Sequence, residues 1–387
     1  MNIKEKDKQY IASTYARFDV HLTHGKGSIV FDDNGKEYID MGSGIGVTAF
    51  GIADEQWVKA TTTQLSTLSH VSNLYYTSPC VELAEVLCQR TGMKKVFFAN
   101  SGAESNECAI KVARKYAQDK KGKEYSTVIT LNKSFHGRTL TTLSATGQEV
   151  FHTLFTPLTP GFAYAEPNDF ESVKSIVEKE KVCAIMIECV QGEGGVNALD
   201  IDFIKQIDAF CKEQDILFIV DEVQTGNGRC GQLYSYMNFG VNPDIVTTAK
   251  GLGGGLPIGA CLIGEKAQDV LTPGTHGTTY GANPVCCAGA LSVINRITPE
   301  FLQQVRQKSE YVFNELRGAK GITAVSGMGL MIGIKTEKDA KQVVLKCIEK
   351  GVIPLTAKDK VRLLPALNIP FETLKKAIEI IKEVCAE

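Results

Sequence analysis

The stretch ILFIVDEVQTGNGRCGQLYSYMNFGVNPDIVTTAKGLGGGLPIG, residues 216–259, decides the fold. It contains two short apolar runs, ILFIV and IVTTA, which end in one charged residue each, Asp221 and Lys250. Such a run predicts a buried strand that delivers the charged side chain to the carboxyl edge of a parallel sheet, where α/β proteins bind ligands. We therefore expect an acid and a lysine to face one pocket. An ordinary salt bridge between strand ends would produce the same pattern.

The lysine of this pair has a distinctive setting. Lys250 follows an apolar strand and precedes the glycine cluster 253–255, which provides space and freedom to turn beside it. A lysine in such surroundings is a candidate imine-forming nucleophile.

Apolar runs alternate with helical patterns on both sides of this stretch. The predicted strands are VFFAN, STVITL, CAIMIE, ILFIVDE, IVTTAK and GACLIG, and most are separated by amphipathic segments. This alternation predicts an α/β fold with a mostly parallel, doubly wound sheet flanked by helices.

The chain of 387 residues is too long for one ordinary core, so we expect more than one domain. Residues 1–52 are interpreted as an N-terminal arm, a hairpin turning at 33–35 and a flexible glycine-rich loop, MGSGIGV. Residues 53–284 would form the large domain. Residues 285–387 alternate long helices with strands and are interpreted as a small α+β domain, against which segment 1–52 packs.

Composition narrows the functional class. The net charge of −2 provides no general attraction for nucleic acid or an acidic membrane, and no apolar run approaches the length of a membrane span. Twelve cysteines without a CxxC pair favour free thiols in a reducing compartment and argue against a metal site. The first twenty residues lack the apolar core of a signal peptide, so we expect a cytoplasmic protein.

Two segments are typical of anion binding. In NSGAE, residues 100–104, a strand ends and a helix begins, and Ser101 and Glu104 fit a capping box. The free amides of such a helix start can hold a phosphate, although a well-capped helix alone would look the same. The segment THGTTYG, residues 275–281, offers two hydroxyls for a phosphate or forms a contact between domains or subunits.

The loop SFHGRT, residues 134–139, combines rings with a guanidinium. Phe135 is suited to stack on a planar cofactor and Arg138 to clamp a carboxylate, while His136 supports no catalytic role by itself. Alternatively, Phe135 caps the core and Arg138 pairs with a surface acid. Glu188 and Glu193 resemble a glycosidase acid pair, but the chain has a single Trp, in a helix, and so lacks the aromatic platforms of a sugar cleft.

One cofactor unites these features. Pyridoxal phosphate requires an imine-forming lysine, an acid for its pyridine nitrogen, a ring to stack on and a phosphate site. Nearly the whole chain also resembles the class-III pyridoxal-phosphate-dependent aminotransferases. The resemblance includes GKGSIVFDDNGKEYIDMGSGIGVTAFG, SNLYYTSP, FFANSGAESNECAIKVARKYA, SFHGRTLTTLSATGQ, QGEGGV, DEVQTGNGRCG, TTAKGLGGGLPIGA, GTHGTTYGANPVCCA and VRLLPALNI.

The resemblance implies the roles of the residues around the cofactor ring. Lys250 would bond to the cofactor and carry the proton during catalysis. Asp221 would keep the pyridine nitrogen protonated, Gln224 would contact the phenolic oxygen, and Phe135 would stack on the ring.

The resemblance also implies a phosphate site and a subunit arrangement. Gly102 and Ala103 would donate their amides to the phosphate, and Thr279 would reach it from the other subunit of a homodimer with shared active sites. Thr278 would lie near the substrate. The implied fold is type I of the pyridoxal-phosphate enzymes, with a large domain carrying the sheet and a small domain built from both chain ends.

The substrate residues are implied in the same way. Arg138 would bind an acylated ornithine, Arg362 the α-carboxylate of glutamate or 2-oxoglutarate, and Glu193 would cover Arg362 when an ω-amine is bound. Ile45 stands where relatives that use free ornithine tend to have a tyrosine, which favours an N-acylated ornithine.

The expected reaction follows from that set of residues. An amino group would pass between N2-acetyl-L-ornithine and 2-oxoglutarate by a ping-pong mechanism, as a step of arginine biosynthesis. The alternatives are succinylornithine, N-acyl-diaminopimelate, ornithine or 4-aminobutyrate as the amine, an aminomutase, or a non-catalytic protein that binds the cofactor.

Overall fold

A computed structural model describes residues 2–387. The helices, in chain order, are α1 (Ile3–Tyr10), α2 (Ser43–Gly46), α3 (Glu55–Thr67), α4 (Ser78–Thr91), α5 (Gly102–Lys121), α6 (Leu140–Ala145), α7 (Glu149–His152), α8 (Phe170–Val177), α9 (Ile201–Glu213), α10 (Pro284–Ile294), α11 (Pro299–Leu316), α12 (Ala340–Glu349) and α13 (Phe371–Ala386). Short 3-10 turns cover Ser235–Asn238, Lys250–Leu252 and Glu265–Ala267.

The strands, in chain order, are β1 (Leu22–Lys26), β2 (Ile29–Asp32), β3 (Glu37–Asp40), β4 (Lys95–Ala99), β5 (Thr127–Leu131), β6 (Phe162–Ala165), β7 (Val182–Ile187), β8 (Val190–Gln191), β9 (Asn197–Ala198), β10 (Leu217–Asp221), β11 (Ile245–Thr248), β12 (Gly259–Ile263), β13 (Ile322–Met328), β14 (Met331–Thr336), β15 (Val352–Ile353), β16 (Leu355–Ala357) and β17 (Lys360–Leu363).

A seven-stranded sheet in the order β4-β12-β11-β10-β7-β5-β6 forms the centre. Its strand pairs are parallel except that β12 runs antiparallel to both β11 and β4, so the predicted mostly parallel sheet is confirmed. All six predicted strands are present. The edge strand β6 escaped prediction because it has four residues, of which only Ala165 is buried.

Helices cover both faces of this sheet, which explains why its inner strands are continuous apolar runs. Alternate residues of β10 point to opposite sides: Leu217 and Ile219 pack in the core that includes α5, whereas Phe218 and Val220 pack in the core that includes α9. In the parallel pair β10–β11, Asp221 lies opposite Thr247, so both strands end at the same edge. Lys250 lies two residues after the last residue of β11.

The predicted hairpin forms from β2 and β3, which pair antiparallel around the 33–35 turn. Strand β15 from the C-terminal part extends this sheet by pairing parallel to β3. A second sheet, β13-β14-β17-β16, lies beside α11, α12 and α13. The domain limits 1–52, 53–284 and 285–387 stay a prediction, and α10, at the start of the third segment, packs against α3 and α4.

Two details near the N-terminus refine the sequence interpretation. The glycine-rich segment MGSGIGV is not a flexible loop but contains the single turn α2, in which Gly44 and Ile45 have positive φ angles of 61° and 67°. Helix α3 begins at Glu55, and its N-cap Asp54 accepts a hydrogen bond from the Trp57 amide at 3.0 Å. No helix within residues 2–387 is long and apolar enough to cross a membrane.

Candidate active site

A cavity of about 620 Å³ opens where β4, β5, β7, β10 and β11 end. Loops leave the sheet there, so side chains from distant parts of the sequence meet, as is usual for open α/β sheets. Seven of the eleven residues predicted from the sequence line this cavity: Gly102, Ala103, Phe135, Arg138, Asp221, Gln224 and Lys250. The other four, Thr278, Thr279, Glu193 and Arg362, lie outside its lining.

Asp221 is almost fully buried, with 3% of its surface exposed. Its Oδ2 accepts hydrogen bonds from Asn106 Nδ2 and His136 Nδ1, both at 2.8 Å, while Oδ1 accepts only the Val223 amide, at 2.9 Å. The carboxylate is therefore held from one side and retains an acceptor site on Oδ1. Within residues 2–387 it forms no ion pair with Lys250, so the alternative of a simple salt bridge between the strand ends is not the arrangement found.

Asn106 organises this surrounding network, and sequence reasoning missed it. Its Nδ2 donates to Asp221 and also to the His136 carbonyl at 2.8 Å, and its Oδ1 accepts the Thr247 hydroxyl at 2.6 Å. All of its contacts are buried and satisfied, which makes such a network rigid. The available signal was a polar residue that, with its neighbour Ser105, interrupts the mostly apolar buried face of α5.

Lys250 is half-buried in the cavity and has a left-handed backbone, with φ at 43°. This conformation is uncommon for a residue with a side chain and often marks a functional site. Burial lowers the pKa of Lys250 below the ordinary value for lysine, although the negative charge of Glu193 opposes the shift. A lowered pKa increases the fraction of neutral, nucleophilic amine.

The glycines after Lys250 pack against the single tryptophan. Trp57 Nε1 donates to the Gly253 carbonyl at 3.0 Å, and a Cβ added to Gly254, whose φ is 62°, would lie 2.8 Å from the same nitrogen. Glycine is therefore required for close contact as well as for the turn. Trp57 of α3 thus supports the lysine loop, a role that the sequence did not reveal.

The start of α5 forms one wall of the cavity. The Ser101 hydroxyl caps the Glu104 amide at 3.2 Å, as predicted, but the Glu104 carboxylate accepts from the Asn100 amide rather than from Ser101. The N–H groups of Gly102 and Ala103 precede the first intrahelical hydrogen bond and have no helix carbonyl to bind. A Cβ at Gly102 would lie 2.6 Å from Val223, so the start of α5 requires glycine at this position.

A buried carboxyl group fixes the loop that carries Phe135. Glu188 is 5% exposed and accepts the amides of Phe135 at 2.8 Å and Gly192 at 3.2 Å. Burial, aided by the nearby charge of Asp221 and opposed by His136, raises the pKa of Glu188 to about 7. Because its two hydrogen bonds join the loops after β5 and β8, Glu188 acts as a structural tie within the cavity.

Glu188→Gln should therefore change how stability depends on pH. Above pH 4.5 an unfolded glutamate releases its proton, whereas the folded one holds it until about pH 7, so the folded wild type loses relative stability across this window. The loss is on the order of 2–3 kcal/mol. Urea unfolding of the apoproteins from pH 4.5 to 7.5 should show that the free energy of unfolding of the wild type falls relative to that of the variant as the pH rises. A difference independent of pH would contradict the assignment.

Gln224, Glu193 and Arg362 form a cluster beside the cavity. Arg362 Nη1 donates to Glu193 Oε1 at 2.5 Å and to Gln224 Oε1 at 3.1 Å, and Gln224 Nε2 lies 3.4 Å from the same glutamate oxygen. Arg362 is 3% exposed, and its Nε has no partner among the described residues. Burial disfavours charge on Glu193, but the adjacent Arg362 outweighs it and lowers the pKa of Glu193.

The two threonines lie near the cavity rims. The Thr278 hydroxyl accepts a hydrogen bond from Asn100 Nδ2 at 3.0 Å, whereas Thr279 is exposed and is not among the residues that line this chain's cavity. Tyr15, from the N-terminal arm, does line the cavity, although the sequence of the arm has no pattern that indicates this. Ile45 does not line the cavity, whereas Val47 does.

These residues fit pyridoxal phosphate. The unpartnered amides at the start of α5 suit a phosphate, and the Oδ1 of Asp221 has an acceptor site for a ring N–H. Phe135 is half-buried beside the cavity, and the amine of Lys250 is available for covalent attachment. A cavity of this size is within the usual range for a cofactor or small ligand.

Comparison with known proteins agrees with this chemistry. The family model described as "Aminotransferase class-III" matches residues 10–385. Acetylornithine aminotransferase of Haemophilus ducreyi is 49% identical over 387 residues, 100% of this chain and 98% of the relative, and that of Aquifex aeolicus is 46% identical over 97% of this chain and 99% of the relative.

Solved structures give the same picture. The ornithine aminotransferase of Toxoplasma gondii has a TM-score of 0.95 at 30% identity and covers 99% of this chain and 94% of its own. N-acetylornithine aminotransferase of Stenotrophomonas maltophilia has a TM-score of 0.85 at 31% identity and covers 99% and 98%. The described chain thus shares its fold with aminotransferases of both substrate types.

Proposed function

The chain belongs to the class-III aminotransferase family, and on this basis we propose that it moves an amino group between N2-acetyl-L-ornithine and 2-oxoglutarate, giving N-acetyl-L-glutamate 5-semialdehyde and L-glutamate, in arginine biosynthesis. The observation that carries the proposal is the different state of two arginines. Arg362 is neutralised by Glu193, whereas Arg138 reaches the cavity with its charge available. One carboxylate site is therefore masked while an ω-amine binds through the other.

Pyridoxal phosphate, the cofactor of this family, supplies an aldehyde that condenses with amines and a ring that withdraws electrons from the substrate carbon. In the proposed mechanism Lys250 would provide the amine to which the cofactor attaches, and the same amine would move the proton at the reacting carbon. The carboxylate of Asp221 holds a proton at the ring nitrogen. Its negative charge stabilises the positive ring and so the electron density that develops.

The remaining cofactor contacts orient the ring. The amides of Gly102 and Ala103 bind the phosphate at the start of α5, where the helix dipole favours negative charge. Phe135, which lines the cavity, would stack on the ring, and Gln224 would donate to the phenolic oxygen. Gln224 also contacts Arg362, so the substrate pocket and the cofactor share one side chain.

The two half-reactions differ in whether the Arg362 site is open. Arg138 binds the carboxylate of acetylornithine, with Thr278 nearby, while the Glu193–Arg362 pair stays closed. Glutamate and 2-oxoglutarate carry a second carboxylate, which displaces Glu193 and binds Arg362. Both substrates thus use one cavity in turn, as a ping-pong reaction requires.

Initial rates on a panel of amines with 2-oxoglutarate test this function. The panel contains acetylornithine, succinylornithine, N-succinyl-diaminopimelate, ornithine and 4-aminobutyrate. We expect acetylornithine to have the highest kcat/KM. A clear preference for free ornithine or 4-aminobutyrate would contradict the proposed substrate, and isomerisation without 2-oxoglutarate would indicate an aminomutase.

Glu193→Gln should weaken the discrimination between the two substrate classes. Glutamine keeps the side-chain size but leaves Arg362 unneutralised, so the ratio of kcat/KM for acetylornithine to that for glutamate should fall about tenfold. Stopped-flow measurement of each half-reaction would show which side changes. Glu213→Gln, an equivalent change on a helix away from the cavity, serves as the control. An unchanged ratio would contradict the masking role of Glu193.

The proposal includes a homodimer with shared active sites. Apolar side chains of the loop after α3 are strongly exposed in the single chain, with Tyr76 at 100% and Leu74 at 86%, and Tyr280 lies in the adjacent loop beside Thr279. Such a patch is typical of an interface. We propose that Thr279 reaches the phosphate of the partner's site. Light scattering should give twice the 42.1 kDa chain mass, and a monomer would contradict this arrangement.

We further propose a cytoplasmic location, small-molecule amino donors and 2-oxo acids as the only substrates, and no nucleic-acid or membrane partner. All twelve cysteines are free, ten of them buried, which is compatible with a reducing compartment.

A further inference from the structure

The two arginines proposed to bind carboxylates are held in different ways. Arg362 is fixed by Glu193 and Gln224 and is neutralised in the process. Arg138 is exposed and forms no ion pair with any acidic side chain of residues 2–387. Its guanidinium instead lies over two aromatic rings, with Cζ 4.1 Å from the ring centroid of Phe151 and 5.5 Å from that of Phe135.

This difference has a consequence for ligand binding. A carboxylate that fixes an arginine also uses its N–H donors and cancels its charge, whereas an aromatic face attracts the cation without occupying those donors. An arginine held by a ring is therefore positioned and still able to form a bidentate pair with a substrate carboxylate. An exposed arginine without such support would lose rotamer entropy each time a substrate binds.

Phe151 is itself well anchored. It lies on the short helix α7, where the next residue, His152, bonds through Nε2 to the Thr146 carbonyl at 2.7 Å. At the entry of the helix, Gln148 Nε2 donates to the Ser134 carbonyl at 2.9 Å, which ties α7 to the loop carrying Arg138. The Phe151 ring also meets Phe135 edge to face, with centroids 6.3 Å apart. The ring is thus a fixed platform.

We propose that Phe151 is a positioning residue for binding of the acylated ornithine, because it presents Arg138 to the substrate carboxylate with its charge unneutralised. The inference rests on the proposed function and deepens it. Phe151 lies beneath the Arg138 guanidinium and outside the residues that line the cavity. Because it also meets Phe135, the test must separate weaker binding of the substrate carboxylate through Arg138 from a change at the cofactor ring, which would alter the limiting rate.

The experiment measures the acetylornithine half-reaction of the holoenzyme by stopped flow in Phe151→Leu, which keeps an apolar side chain but removes the ring. The half-saturating concentration of acetylornithine should rise roughly fivefold, the size expected for one exposed cation–π contact, while its limiting rate stays within about twofold. Phe151→Tyr and Phe151→Trp should restore tight binding. Phe155→Leu, the same change at an exposed phenylalanine of the following loop, should match the wild type.

Arg138→Met, alone and combined with Phe151→Leu, provides a second test of the proposal. Alone it should raise the half-saturating concentration of acetylornithine at least tenfold, and adding Phe151→Leu to it should have no further effect. A fall in the limiting rate with an unchanged half-saturating concentration, or additive effects of the two changes, would overturn the proposal. If Phe151→Leu does not fold, Phe151→Met, which also removes the ring, provides the same comparison with and without Arg138→Met. Failure of the wild type to use acetylornithine would instead reject the proposed function.

Discussion

Lys250→Ala is expected to abolish amino-group transfer, lowering kcat by about 10⁴-fold or more in both directions. The loss has two physical causes: alanine cannot bond to the cofactor, and no other amine replaces Lys250 as the proton carrier. The fold should persist, because the lysine side chain faces the cavity rather than the core. Steady-state rates measure the loss, and borohydride reduction followed by peptide mass spectrometry shows whether the cofactor is attached at position 250.

Lys250→Arg tests whether a positive charge at this position is sufficient for activity without a nucleophilic amine. Arginine keeps a positive charge in the cavity but has no nucleophilic amine at neutral pH, so it should be as inactive as alanine. Lys59→Ala, on the exposed side of α3, should retain full activity and the labelled lysine. Turnover of Lys250→Ala at the wild-type rate, or labelling of a different lysine in the wild type, would reject the mechanism.

Asp221→Asn is expected to reduce kcat about 10²–10³-fold, the usual cost of removing a preorganised electrostatic contact. The buried amide would carry no charge to stabilise a protonated ring. It would also be poorly accommodated, because Asn106 and His136 both donate to the oxygen that an NH₂ group would replace if it took the Oδ2 position. Both half-reactions should slow together, since each passes through the same ring.

The control for Asp221 is a buried acid elsewhere. Asp208 is 9% exposed, lies on α9 and pairs with Lys212 at 2.6 Å, so Asp208→Asn should leave kcat within about twofold. Absorbance titration of the two apoproteins with pyridoxal phosphate adds a measurement independent of turnover, and Asp221→Asn should bind the cofactor more weakly. Equal activity of the Asp221 variant and the wild type would remove Asp221 from the mechanism.

Much of the site was predictable because its residues stand at points where the local pattern changes. Asp221 and Lys250 end apolar runs, Gly102 begins a helix, and Phe135 and Arg138 share a short loop after a strand. In an open α/β sheet all of these positions belong to one edge. The roles of individual side chains came from the family resemblance, and they remain to be tested by the substitutions above.

The residues that were missed act through distant contacts. Asn106 was hidden on a helix face, Trp57 approaches Gly253 across 196 positions of sequence, and Tyr15 lies in an arm without periodicity. The segment 41–47, expected to be a flexible loop, contains the short turn α2, in which Gly44 and Ile45 have left-handed, non-helical backbone angles. The cavity is lined by Val47 rather than by Ile45. The argument from Ile45 for an N-acylated ornithine therefore concerns a residue outside the cavity lining, which only the structure could show.

The sequence by itself determined the mostly parallel sheet, the edge at which its loops meet, and the cofactor class, because apolar periodicity and strand ends are local properties. Only the tertiary structure decided which donors hold Asp221, that Arg362 is paired with Glu193, and that Arg138 lies on Phe151 instead of on an acid. These choices depend on side chains 13 to 169 positions apart that meet once the strands and loops are packed. Local patterning places each residue at the site, and packing sets the charge that it presents.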